Sequence, residues 1–336
     1  MQKILPNSIP PDVDSRPILS VVLTSPSISR TPDILALLDS LSSQSRRDFE
    51  IIFVGENSEE LLEIVHGRCN LRGLQGSFIL NAGKGGLAQG RNIGIRNSRA
   101  EIVAMIDDDV VLPSEWVKSI LEPFNDLGVV GVTGPAYPLW DDREMSWFPQ
   151  ELYWLISCSS WYEPRDPSDV RSAWGMNMAF RRRELDMIGG LLESSGYHKP
   201  VAEDLELSLR MRIATRKRIV FTGDSYVWHR VHAYRLGWGY IGARSRHIGV
   251  SRSMIRRVYG VSYDKEQDLV VAVLKGLPKW FSKGWSQGIR SVKLVTFALS
   301  NVALGYLVAS LTPTHDQNIF AKEARDRLSS SRSIAA

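Results

Sequence analysis

A chain of 336 residues with 43% hydrophobic and 23% charged content carries enough apolar material for one large core or two smaller ones, which excludes a disordered tail. The formal net charge is only +4 and the pI about 9.0, but acids and bases segregate along the chain, so local charge is more informative than the sum. Cys69 and Cys158 stand far apart without C-x-x-C or His-rich ligand spacing, which argues against a disulfide framework or structural zinc and points to a reducing compartment.

Residues 1–17 form a lead with prolines and acids in its first fifteen residues, lacking the charged start and apolar run of a secretory signal, so the body is expected in the cytoplasm. Residues 18–23 are short, apolar and β-branched, and they stop at Thr24-Ser25-Pro26, the pattern of a buried strand entering a loop. Behind Thr31-Pro32, the residues Ile34, Leu35, Leu37, Leu38 and Leu41 keep helical spacing. A second strand at 49–54 runs into Gly55-Glu56-Asn57-Ser58, followed by a helix from Glu59 to about His66. A third strand at 77–80, a glycine-rich loop, a helix at 88–97 and a fourth strand at 102–106 come next.

Strands alternating with helices at these intervals predict an α/β fold, a parallel sheet with helices on its faces and ligands at the carboxyl ends of the strands. A strand at 176–180, a helix opening at Glu203-Asp204, and strands at 219–221 and 226–228 complete the sheet. Bases dominate between Arg230 and Lys293. There Lys279-Trp280-Phe281-Ser282-Lys283-Gly284-Trp285 interleaves cations with rings, as a belt in the lipid headgroup zone does. A membrane surface is preferred over nucleic acid as its partner, because residues 294–311 follow with no charge. That apolar helix either enters the bilayer or packs on the body or on another subunit, and the polar tail 312–336 is expected to be loosely ordered.

The strand 102–106 is apolar on both faces yet ends in Asp107-Asp108-Asp109. Three carboxylates at a buried strand end repel one another unless a cation neutralises them. A hard divalent ion, Mn²⁺ or Mg²⁺, fits this pattern and completes its shell with phosphate oxygens and water; the alternative is a solvated acidic turn.

With these residues in view, the chain from about Leu19 to His232 resembles the family 2 glycosyltransferases of the GT-A type. Five pieces carry the likeness in order: the first strand with Val21-Val22-Leu23-Thr24, the second strand with Gly55-Glu56-Asn57-Ser58, the triplet, residues 175–182, and Glu203-Asp204. The resemblance implies a Rossmann-like, mixed but mainly parallel sheet flanked by helices, with a C-terminal helical membrane-associating extension. It implies a catalytic domain over 18–235, with a nucleotide-sugar half at 18–135 and an acceptor half at 136–235. Residues 236–293 would be membrane-proximal and 294–311 the apolar helix.

It also implies inverting, metal-dependent sugar transfer from a nucleotide-sugar to a hydroxyl of a glycan or lipid-linked precursor at the cytoplasmic face of the membrane. Asp109 and Asp107 would hold the metal with His229, and Asp108 would support them at the nucleotide. His229 could equally be a packed, hydrogen-bonded ring. Asp204 would be the general base, beside Glu203. Thr24 and Glu56 would contact the nucleoside, with uridine favoured although Gly55-Glu56 replaces the family's usual pair of aspartates. Lys84 and Arg91 would contact the diphosphate, or Arg91 would pair with an acid of the triplet. Tyr197, His198 and residues 147–161 would lie near the acceptor. A homo-oligomer is compatible with this reading.

Three rivals remain open on sequence. Gly83-Lys84-Gly85-Gly86-Leu87-Ala88 matches G-x-G-x-x-A, which suggests an NAD(P)-dependent oxidoreductase, but that fingerprint belongs in the first strand-helix unit and here two units precede it. A nucleotidyltransferase would carry a glycine-rich basic loop after its first strand, where Thr24-Ser25-Pro26 stands. A membrane-surface binding protein of the same fold without catalysis is the third.

Overall fold

The computed structural model describes residues 3–5, 16–83, 85–159, 166–193, 202–260 and 266–335. The expectations placed on Lys84, Trp161, Tyr197 and His198 lie outside the described residues. The chain divides into two units, the first comprising residues 1–136, 164–229 and 326–336, and the second residues 137–163 and 230–325.

In chain order the strands and helices of the first stretch are β1 (Lys3–Leu5), β2 (Leu19–Ser25), α1 (Thr31–Ser42), β3 (Phe49–Glu56), α2 (Glu59–Leu71), β4 (Gly76–Asn81) and α3 (Leu87–Asn97). They continue with β5 (Ile102–Ile106), β6 (Val110–Val111), α4 (Trp116–Leu121), β7 (Val129–Thr133) and β8 (Ala136–Trp140). Then come β9 (Ser168–Val170), β10 (Asn177–Arg181), α5 (Arg182–Met187), α6 (Glu203–Thr215), β11 (Arg218–Phe221) and β12 (Val227–Val231). Four helices close the chain: α7 (Trp238–Tyr259), α8 (Glu266–Ser282), α9 (Trp285–Leu311) and α10 (His315–Ala335).

A nine-stranded sheet in the order β1-β4-β3-β2-β5-β10-β7-β11-β9 forms the first unit. Strands β4, β3, β2 and β5 run parallel, and β10 enters antiparallel between β5 and β7. Every residue of β5 is buried, so the strand needs cover on both faces, and two apolar clusters provide it. One contains Leu37, Leu41, Phe53 and Trp116, the other Val22, Ile93, Met105 and Phe180. Helix α3 approaches β2 so closely that a Cβ on Gly94 would lie 2.2 Å from Val22 Cγ1, which only glycine permits.

The register brings the functional loops to one edge. Leu23 pairs with Ile106, Ser25 with Gly55, Glu56 with Asn81, and Asn177 at the start of β10 with Ile106. Helix α2 continues past His66 to Leu71, because Leu61, Leu62, Val65 and Cys69 keep one buried face and the Ser58 hydroxyl caps its start by accepting from Leu61 N. The lead contributes β1, which pairs antiparallel with β4, where the sequence predicted no strand.

The second unit has its own core, including Phe148, Leu152, Leu155, Ile241, Leu294 and Ala298. Trp280 corrects the membrane-belt expectation: it is buried and its indole donates to Glu151 Oε2 at 3.1 Å, whereas Trp285 is 77% exposed. The apolar run 294–311 is the later part of α9, a helix long and apolar enough to cross a membrane, with 39% of its most apolar stretch buried. Its covered face meets α7, where a Cβ on Gly249 would collide with the Val302 carbonyl. Arg246 donates to Asn301 Oδ1 at 2.9 Å and Arg256 to the Tyr306 hydroxyl at 3.0 Å across the same pair of helices.

The tail is not loosely ordered. It folds as α10, with Phe320, Ala321, Ala324 and Leu328 buried at helical spacing, an apolar stripe that the polar and serine-rich composition conceals.

Candidate active site

The triplet sits immediately after β5. Asp109 is 2% exposed and Asp108 6%, whereas the Asp107 side chain retains 28% exposure. Strand β12 pairs His229 with Val110, so the hairpin-like approach of β6 and β12 carries the imidazole onto the triplet. His229 Nε2 lies 3.1 Å from Asp109 Oδ1 and 3.9 Å from Asp107 Oδ2. Both ring nitrogens of this fully buried histidine lack an aligned hydrogen bond.

A buried imidazole with no hydrogen bond is costly unless something else takes its lone pair. Donor atoms of Asp107, Asp109 and His229 all lie within 4.8 Å of one another, so two carboxylates and an imidazole can share one divalent ion.

Two arginines hold the rest of the cluster. Arg91, 1% exposed, donates from Nη2 to Asp107 Oδ1 at 2.9 Å and to the Gly175 carbonyl at 2.6 Å. Its Nη1 stands 3.6 Å from Glu203 Oε1. Of the two roles expected for Arg91, the geometry gives the ion pair with the triplet. Asp108 accepts from the Ser25 hydroxyl at 2.7 Å and from Arg30 Nη2 at 2.8 Å. The same Nη2 donates to Asp109 Oδ2 at 2.7 Å.

Burial raises the Asp107 carboxyl above its ordinary range, against the pull of Arg91, with the neighbouring acids adding to the rise. Burial likewise raises Asp108, opposed by the hydrogen bond and charge of Arg30. For Arg30 burial works against the charge, yet its hydrogen bond to Asp108 and the charges of Asp108 and Asp109 outweigh it, so the pKa rises above that of an ordinary arginine.

Sequence reading missed Arg30. It ends a short 3₁₀ turn, Ile28–Arg30, in the loop after β2, and its partners lie 78 and 79 residues away. The available signal was its position: a cation in a loop at the carboxyl end of the strand beside β5.

Asp204 stands in the first turn of α6. Its Oδ2 accepts from Gly175 N at 2.9 Å and its Oδ1 from Leu205 N at 2.8 Å. The left-handed backbone of Ala202, φ 37°, precedes the helix and sets the entry of Glu203 and Asp204. At the start of β10, Asn177 receives the Trp116 indole at 3.0 Å and donates to the Ser225 carbonyl at 2.6 Å, fixing the strand that follows Gly175.

On the nucleotide side, Glu56 Oε1 accepts from Gly86 N at 2.6 Å, so the glutamate grips the glycine loop at the end of β3. The dinucleotide-like loop thus has a backbone N–H engaged by a carboxylate. Thr24 is buried against α3, its Cγ2 2.9 Å from where a Gly90 Cβ would stand. The structure therefore brings Asp107, Asp108, Asp109, His229, Arg91, Glu203 and Asp204 into one connected cluster, with Thr24 and Glu56 along the same sheet edge.

Residues 25–188 match the family described as glycosyl transferase family 2. A glucosyl-dolichyl phosphate glucuronosyltransferase from Haloferax volcanii is 26% identical over 309 residues, which span 88% of this chain and 97% of that protein. Among solved structures, the mannosyltransferase PcManGT from Pyrobaculum calidifontis, in complex with GDP-Man and Mn²⁺, has a TM-score of 0.56 at 17% identity, over 98% of this chain and 90% of that one. GalNAc-T7 with UDP, GalNAc and Mn²⁺ has a TM-score of 0.51 at 15% identity, over 76% of this chain and 54% of that one. The two structures share the mixed α/β fold with its mainly parallel central sheet.

Proposed function

This chain belongs to the family 2 glycosyltransferases, and from that premise we propose that it moves a sugar, with inversion, from a UDP-sugar to a hydroxyl of a dolichyl-phosphate-linked sugar. The observation that carries the chemistry is His229 Nε2 at 3.1 Å from Asp109 Oδ1, both buried, with Asp107 beside them. The near full-length relative that acts on glucosyl-dolichyl phosphate supports the acceptor class.

Asp107, Asp109 and His229 would hold the metal, and Mn²⁺ suits this set better than Mg²⁺ because one donor is an imidazole nitrogen. When bound, such an ion supplies Lewis-acid stabilisation of the negative charge that grows on the leaving diphosphate. Arg91 holds Asp107 in place through its 2.9 Å ion pair. Asp204, fixed by Gly175 N, takes the proton from the acceptor hydroxyl as its oxygen attacks the anomeric carbon, and attack from the face opposite the leaving group inverts the centre. Glu56, at the end of β3, offers an acceptor for the N3–H of uracil.

Attachment to the membrane is supported by α9, which exposes Leu304, Leu307, Val308 and Leu311. Its other face is bonded to Arg246 and Arg256 of α7, and carrying those arginines into hydrocarbon would be costly. The helix therefore lies along the membrane surface instead of crossing it. Buried, free Cys69 and Cys158 suit a reducing compartment and so support the cytoplasmic face as the site of action.

The test is to supply a panel of UDP-sugars and GDP-sugars with Mn²⁺ and synthetic glucosyl-dolichyl phosphate. The expected result is UDP release with extension of the lipid-linked sugar. Release of GDP alone would overturn the base assignment, and NADH binding without any nucleotide-sugar turnover would restore the oxidoreductase reading.

A further inference from the structure

Arg30 is the unexplained cation of the site. It rests on three acids at once: Asp108 Oδ1 at 2.8 Å, Asp109 Oδ2 at 2.7 Å and Asp33 Oδ2 at 3.6 Å. The Asp109 carboxylate is thereby divided, one oxygen facing His229 Nε2 at 3.1 Å and the other bonded to the guanidinium. Arg91, the other arginine, is enclosed at 1% exposure, whereas the Arg30 side chain is 19% exposed at the end of a three-residue turn.

We propose that Arg30 couples metal binding to diphosphate binding, making the Asp107–Asp109–His229 site weak when empty of nucleotide and strong when a nucleoside diphosphate is present. This rests on the metal reading above. A positive charge bonded to a ligand carboxylate opposes a divalent ion on the other oxygen of that carboxylate. A diphosphate reverses the balance, because its negative oxygens interact favourably with both the ion and the guanidinium, and arginine presents a planar fork suited to phosphate. By linkage, the factor by which the diphosphate tightens metal binding equals the factor by which metal tightens the diphosphate. Arg30 is in this sense a positioning residue acting through Asp109, and its location after β2 puts it on the same sheet edge as Thr24 and Glu56.

The experiment titrates Mn²⁺ by electron paramagnetic resonance into the full chain, alone and preloaded with UDP or GDP, subtracting a protein-free nucleotide blank. The wild type should bind Mn²⁺ about tenfold or more tightly with one of the nucleotides than without. Arg30→Gln should bind Mn²⁺ alone more tightly than the wild type and lose most of the nucleotide effect, and Arg30→Lys should restore part of it. Arg30→Ala serves as a second neutral variant, with circular dichroism to establish folding.

Neutral variants that leave both affinities unchanged, or lower both by the same factor, would overturn the coupling role. Asp109→Asn separates the two claims: if it binds Mn²⁺ as the wild type does, the metal reading itself fails and the coupling falls with it. If Asp109→Asn loses Mn²⁺ while Arg30→Gln keeps wild-type coupling, only the role of Arg30 is refuted.

Discussion

Arg91 Nη2 donates to Asp107 Oδ1 at 2.9 Å while also donating to the Gly175 carbonyl, whose residue in turn offers its N–H to Asp204. One buried guanidinium therefore links the acid proposed for metal to the acid proposed as base. The link is short because α3 lies against β2 at Gly94 and β10 runs antiparallel beside β5, so two distant sequence segments converge on one strand end.

Asp204→Asn removes the base while its amide oxygen can still accept from Gly175 N, at the loss of the bond from Leu205 N. The expected outcome is a fall in kcat of about 10²–10⁴-fold with the donor KM close to wild type, measured by UDP release. An unchanged kcat would assign the residue to capping α6 alone.

Arg210 offers the structural counterpart. It is fully buried, pairs with Glu206 at 2.8 Å and donates to the carbonyls of Ile188 and Gly190 at 2.6 and 2.7 Å. Arg210→Met should cost about 3–5 kcal/mol in denaturant unfolding, because Glu206 and the two carbonyls lose their partner. The Mn²⁺ affinity of the protein that remains folded should be unchanged.

Metal removal should be pH-dependent. Asp107 and Asp108 have raised pKa values in the metal-free fold, so the folded state holds their protons more tightly than the unfolded chain, and stability drops as pH rises above the ordinary carboxylate value. A bound cation relieves that penalty and competes with protons. The rise in Tm on adding Mn²⁺ should accordingly be larger at pH 7.5 than at pH 5; equal shifts would show that the triplet does not take the ion.

Burial pushes the Cys69 thiol up to about 12. Since the thiolate is the reactive form, Cys69 should resist iodoacetamide at pH 8 in the native protein and react once the chain is unfolded, as read by mass spectrometry. Modification at equal rates in both states would contradict its packing inside α2.

Much of the parallel half was legible in the sequence because β2, β3 and β5 are continuous apolar runs ending in polar loops, and the triplet stands out where such a run stops. Glu203-Asp204 and His229 were tied to the triplet only through the family resemblance, since no spacing in the sequence relates them to it; the pairing of His229 with Val110 and the hydrogen bond from Gly175 to Asp204 supply the connection. Arg30 left no periodic or spacing signal, because its role arises from tertiary approach across 78 residues. Trp280 misled for a related reason: alternation with lysines describes a membrane belt and the buried side of a helix equally well, and Glu151, which receives its indole, lies 129 residues earlier. The tail was misread on composition, although Phe320, Ala324 and Leu328 already had helical spacing.

The most direct measurement is the anomalous scattering of Mn²⁺ in crystals of the chain grown with UDP. The account predicts one strong peak among Asp107, Asp109 and His229, absent from Asp109→Asn. A structure with nucleotide bound and no metal at those three residues, or with Mn²⁺ held elsewhere, would contradict it.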